Sequence, residues 1–189
     1  MDSKKQSSLR KLHLGCGRDI KKGWVNLDLV NLPGVDVVHN IEQLPLPFAD
    51  GSFDEILCQD ILEHVEYIPI LKDIYRILAP EGKLHIRVPH FTSRNNYADP
   101  THRKLFSIST FDFFVNKSKI HDRRDYYFDF SFSVITNKHI TFERSSRIFF
   151  YNRLVEWLMN KTNRLQEIYE LTFLSGLFPA QNILVTLVK

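Results

Sequence analysis

Two glycines flank a cysteine at Gly15-Cys16-Gly17, where the apolar run over residues 11–15 stops. Glycine has no side chain and tolerates positive φ, so such a corner lets backbone come close to a ligand. A second apolar run, residues 24–29, carries Asp28 near its end. A carboxylate there can accept hydrogen bonds from both hydroxyls of a ribose, which points to a nucleoside ligand. The glycines alone would equally suit a tight packing turn. A dinucleotide fingerprint would place its third glycine at position 20, where the chain has Ile20, and this weakens an NAD reading. Proton transfer is within reach of His90, directly after a fifth apolar run, and of His64, after a fourth. The stretch 97–106 adds Tyr97, Asp99, His102 and Arg103 in one loop, with Asp99 or His102 able to act as base or acceptor anchor. Each histidine has a structural alternative as a hydrogen-bonded strand-end residue. Asp99-Pro100-Thr101 also has the form of a helix start capped by Asp99, and Glu63 that of a charge neutraliser or helix cap.

These residues need a scaffold that brings strand ends together. Short apolar runs at 11–15, 24–29, 36–39, 53–58 and 83–88 are near-continuous rather than alternating, which predicts a parallel sheet covered on both faces. Residues 66–79 place Ile70, Leu71, Ile74, Ile77 and Leu78 at helical spacing, with Pro69 in the first turn and Pro80 and Gly82 as the stop. Pro45, Pro47 and Asp50-Gly51 forbid a regular element between the third and fourth strands. Residues 91–150 hold most of the fifteen phenylalanines and many basic side chains, and predict a cap built onto the sheet. Within it, 128–135 and 139–144 have the form of a hairpin turning at Thr136-Asn137-Lys138. Helices are expected at 149–160 and 164–174, and a closing strand at 182–188. The basic run His121-Asp122-Arg123-Arg124 is a solvated face or a phosphate grip.

At 189 residues and 43% hydrophobic, the chain is sized for one domain with a real core: a cofactor-binding half (1–90), a cap and acceptor region (91–150), and C-terminal helices with the closing strand (151–189). The formal charge of +3 permits an anionic partner but falls short of a dedicated nucleic-acid binder. Cys16 and Cys58 have no metal-ligand spacing, and no metal is implied; reduced thiols fit a cytoplasmic protein without a disulfide. The amino-terminal residues lack the apolar core of a secretory signal, and no apolar run is long enough to span a bilayer.

Four segments in order, LHLGCG (12–17), NLDL (26–29), LPLPFADGSFDEILCQDILEHV (44–65) and ILAPEGKLHIRVP (77–89), resemble class I S-adenosylmethionine-dependent methyltransferases of the methyltransferase-11 type over the first half of the chain. The resemblance implies an α/β, Rossmann-like sheet, mostly parallel with an antiparallel C-terminal strand, beneath the aromatic and basic cap. It implies S-adenosylmethionine as cofactor: Gly15, Cys16 and Gly17 along its methionine and ribose, Asp28 on the ribose hydroxyls, Leu29 beside the adenine, Asn40 and Ile41 at the adenine edge, and Gln59, Asp60 and Leu62 at the methionine end. Two departures stand out. His13 replaces an acidic residue many relatives carry, and the interval between the first two strands is so short that the usual first helix reduces to a turn.

The expected activity is in-line methyl transfer to a small-molecule or saccharide-like acceptor, with aromatic side chains to stack on rings and arginines for an anionic group. Candidate catalytic residues are His90, His64, Asp99 and His102. The alternatives are an RNA methyltransferase, disfavoured by the modest charge, and a non-catalytic nucleoside-binding or interaction module on the same fold.

Overall fold

The computed structural model describes residues 10–116, 125–144 and 150–189. Seven strands form one sheet: β1 (Lys11–Leu14), β2 (Val25–Asp28), β3 (Val37–Val38), β4 (Phe53–Gln59), β5 (Leu78–Pro89), β6 (Val134–Phe142) and β7 (Ala180–Val188). Their order is β3-β2-β1-β4-β5-β7-β6, with β1 to β5 parallel and β7 antiparallel to both neighbours. The sheet is therefore mostly parallel with a reversed C-terminal strand, as the sequence resemblance implies. Leu12, Leu14, Leu27, Ile56 and Ile86 are buried along the central strands, which is why these runs are continuously apolar.

Helix α1 (Tyr67–Ile77) buries Ile70, Leu71, Ile74 and Ile77, the stripe set by its spacing. It stops two residues before the expected Ala79. Leu78 is already extended, because Pro80 disfavours helical backbone at Ala79, and β5 begins there rather than at Lys83. No helix separates β1 from β2, so the short interval between them is a turn. A short α2 (Asn95–Ala98) follows β5, and α3 (Asn152–Met159), α4 (Asn163–Leu171) and α5 (Leu174–Leu177) precede β7. Thr162 caps α4 by accepting from the Leu165 amide at 3.2 Å. Among the described residues, no helix is long and apolar enough to cross a membrane.

The expected hairpin over 128–144 does not form. Residues 134–142 make one strand, β6, paired along its length with β7, and the presumed turn is absorbed as a register shift between Ile135 and Asn137. Phe132 instead bridges Val115, and Phe106, Phe111, Phe114, Phe130 and Phe132 are buried, so these cap aromatics are core. Cys16 and Cys58 are both free thiols. The basic run 121–124 lies outside the described residues.

Candidate functional site

The glycine corner and Asp28 meet at the end of adjacent strands. The Cys16 amide donates to the Leu27 carbonyl at 3.1 Å, and the Gly17 amide donates to Asp28 Oδ2 at 2.7 Å. Asp28 Oδ1 accepts from the Val30 amide at 3.0 Å, which fixes the carboxylate on both sides. The two glycines serve different ends. At Gly15 (φ +65°) a Cβ would lie 2.7 Å from Ile61 Cγ1, so that position is closed by packing; at Gly17 (φ +51°) a Cβ would meet nothing within 4 Å. Backbone open to a ligand is thus found at Gly17. Gly15→Ala is expected to destabilise the fold by about 2 kcal/mol, from left-handed backbone and overpacking, as read by denaturant titration.

Across the sheet edge, Asp60 directly follows β4 with φ +52°, a conformation aspartate tolerates better than most residues. Its amide donates to the Arg87 carbonyl at 2.9 Å, and its carboxylate takes both Nε and Nη2 of Arg87. Arg87 in turn acts electrostatically on His13 and Asp19, joining this edge to the glycine corner. The pair borders a cleft of about 910 Å³ whose walls include Glu63, His64, Asp99 and His102.

A single 3-10 turn, Leu62–His64, delivers Glu63 and His64 to this cleft. The amides of Arg103 and Lys104 both donate to the Glu63 carbonyl, at 2.8 and 3.2 Å, which clamps the turn against the loop carrying His102. The Glu63 side chain is fully buried, and neither carboxylate oxygen has a hydrogen-bond partner. Burial pushes its pKa up to about 7, opposed by its own backbone amide and by Arg87, with Asp60 and Asp99 adding to the rise. His102 packs edge-on against the His64 ring, centroids 4.7 Å apart, and burial followed by the charge of His64 holds its pKa below the usual value. The Thr101 hydroxyl donates to Asp99 Oδ1 at 2.6 Å and so accepts from His64 Nδ1 at 2.8 Å. That chain fixes the His64 tautomer with the lone pair on Nε2.

Residues 12–86 match the family described as "Methyltransferase domain". The chain is similar to a SAM-dependent methyltransferase from Archaeoglobus fulgidus, with TM-score 0.62 and 21% identity over 97% of this chain and 87% of that one. The match to that family lies within the first half of the chain, and the fold of the whole chain is that of these enzymes. The chain is also similar to Haemonchus contortus phosphoethanolamine N-methyltransferase 2 in complex with S-adenosyl-L-methionine, with TM-score 0.52 and 19% identity over 96% of this chain and 49% of that one. An uncharacterized protein of Methanocaldococcus jannaschii is 51% identical over 45 residues, which is 24% of this chain and 20% of that protein. The chain thus matches about a fifth of that relative's length.

The expected ligand residues divide by accessibility. Gly17 and Asp28 converge, and Leu29 is 63% exposed at the rim. Gln59 and Asp60 stand at the end of β4. Other positions are committed elsewhere. The Cys16 backbone is used by Leu27 and Asp19, Ile41 and Leu62 are buried in the core, and Asn40 Oδ1 accepts from the Glu42 amide at 3.0 Å. His13 is buried with Nδ1 unpartnered, and burial lowers its pKa.

The catalytic candidates divide in the same way, and the structure corrects the first choice. His90 is fully buried, with Nε2 3.0 Å from Glu170 and Nδ1 accepting from the Thr92 amide at 3.1 Å, which makes it a core residue tying β5 to α4. Asp99 caps no helix: its carboxylate binds the Thr101 amide and hydroxyl, and these bonds hold its pKa below the usual carboxylate range, which unsuits it as a base. His64 and His102 remain at the cleft, joined by Glu63. The sequence concealed this grouping because His102 comes from a distant loop and Glu63 has no telltale spacing to it.

Proposed function

We propose that this methyltransferase moves a methyl group from S-adenosylmethionine to a hydroxyl of a small-molecule or saccharide-like acceptor. The observation that carries the reading is one continuous edge. The glycine corner with Asp28 stands at one end, and the cleft of His64 and His102 at the other, with Asp60 and Arg87 between. The residues fit the cofactor. Gly17 leaves open space beside its backbone, and each Asp28 oxygen keeps a lone pair beyond its internal hydrogen bond. When bound, S-adenosylmethionine supplies an electrophilic methyl on a sulfonium sulfur.

The chain's own contribution is alignment and proton handling. Asn95, Gln181 and Asn182 line the cleft beside Arg87, a polar set suited to hydroxyl-rich acceptors. His64, held by Thr101 and Asp99, presents Nε2 to take the proton of the acceptor hydroxyl as its oxygen gains the methyl. Exchanging Asp28 for alanine should weaken binding of S-adenosylhomocysteine by about 2 kcal/mol in calorimetry, roughly 30-fold. Asp28→Asn, which keeps an acceptor for the Gly17 amide, separates that loss from loop disorder.

Methyl-labelled S-adenosylmethionine, offered with nucleotide-linked sugars, free saccharides and transfer RNA, tests the acceptor class. Label in the sugar fractions supports the proposal. Label confined to RNA, or no binding of S-adenosylmethionine or its demethylated product at all, overturns it.

A further inference from the structure

We propose that Glu63, His64 and His102 bind a divalent first-row transition-metal ion at the wall of the cleft. Each offers one ligand atom, and these atoms all lie within 4.8 Å of one another. Donors around an ion at about 2.0–2.2 Å stand about 3–4 Å apart, so a side-chain adjustment of roughly 1 Å closes the site. Two independent features go beyond proximity. Glu63 is fully buried with both carboxylate oxygens lacking a hydrogen-bond partner, and the His102 side chain is only 7% exposed with a buried, unpartnered Nδ1. Buried polar atoms are ordinarily satisfied, and three of the seven unsatisfied buried side-chain atoms among the described residues, both Glu63 oxygens and His102 Nδ1, belong to this group.

The surroundings are those of a ligand set held ready. Thr101 and Asp99 fix His64 from behind through Nδ1, the arrangement by which an outer carboxylate orients a metal-binding imidazole, here through one hydroxyl. The Arg103 and Lys104 amides lock the Glu63 backbone to the His102 loop, so all three ligands are positioned by two short segments pinned together. Two imidazoles and one carboxylate suit zinc, manganese, cobalt or iron over magnesium, which prefers an all-oxygen shell. Three protein ligands also leave coordination positions open on an ion beside a cleft.

Those positions would take oxygen atoms of the acceptor, a role that rests on the methyl-transfer reading. A hydroxyl bound to the ion ionises more readily: its proton passes to water, and the oxygen keeps the electron pair that forms the new bond to the methyl carbon as the sulfur–carbon bond breaks. His64 then serves through the same Nε2 lone pair as a ligand instead of a base.

Calorimetric titration of the chelator-treated full chain with zinc, manganese and magnesium chlorides tests the site, and cobalt absorption reports its coordination. One equivalent of zinc or manganese is expected, with magnesium at least 10-fold weaker. Glu63→Gln and His102→Ala should each bind at least 100-fold more weakly, while S-adenosylhomocysteine affinity stays within about 2-fold of wild type. Absence of binding by every ion, or undiminished zinc affinity in folded Glu63→Gln, overturns the metal site. Metal binding without cofactor binding leaves the site standing and removes the methyl-transfer reading; cofactor binding without metal does the reverse.

Discussion

Replacing His64 by alanine is expected to lower turnover by about 10²–10⁴-fold while S-adenosylhomocysteine binds as it does to wild type. The imidazole stands at the cleft, and its loss removes either the proton acceptor or a metal ligand without touching Gly17 or Asp28. Steady-state kinetics beside calorimetry would check it: a fall in kcat with unchanged cofactor affinity is the expected pattern, and a variant as active as wild type would remove His64 from the chemistry. Thr101→Val provides a graded companion, because the Thr101 hydroxyl reaches His64 through Nδ1 while anchored to Asp99. Its rate should fall less than that of His64→Ala and recover in Thr101→Ser, which keeps the hydroxyl. His90→Asn should behave oppositely, lowering the melting temperature through the lost contact with Glu170 and leaving the chemistry in place.

The contrast between His64 and His90 shows what could be seen in the residues beforehand. Both follow strands of a parallel sheet, and strand position correctly puts each at the carboxyl edge. Depth depends on what packs over that edge, and for His90 the cover is Tyr169 and Glu170, about eighty residues further along the chain. No local pattern encodes such a partner. The hairpin expectation failed for a related reason. Thr136-Asn137-Lys138 has turn chemistry, but β7 offers a long partner for the whole segment, and one bulge costs less than leaving that ladder unpaired. By contrast, α1 and the first, second and fourth strands were legible because their apolar faces contact a sheet whose period the sequence repeats. The glycine corner was half legible. Its conformation follows from residue type, but the need for glycine at position 15 also comes from Ile61, which fills the space a side chain there would take.

Glu63 carries the other large prediction, since it is fully buried yet unpartnered. In chelator, the stability of the wild type relative to Glu63→Gln should decline as pH rises between about 4.5 and 7. The folded-state pKa of about 7 exceeds the ordinary 4.5, so across that window the unfolded chain releases a proton that the fold retains. Below the lower value both states are protonated and the full stability is present; above the upper one the loss is complete. The size is about 3 kcal/mol, which corresponds to this displacement at about 1.4 kcal/mol per pH unit. Burial is the largest influence and sets the sign; the Glu63 backbone amide and Arg87 oppose it, and Asp60 and Asp99 add to it. Glu63→Gln cannot ionise and should lack this decline, while the histidines whose pKa burial lowers, His13, His85 and His102, titrate alike in both proteins. Urea denaturation at pH 4.5, 6 and 8 would check both curves. Parallel profiles for the two proteins would mean that Glu63 is solvated in solution, and that the enclosed carboxylate on which its proposed role as a metal ligand depends does not exist.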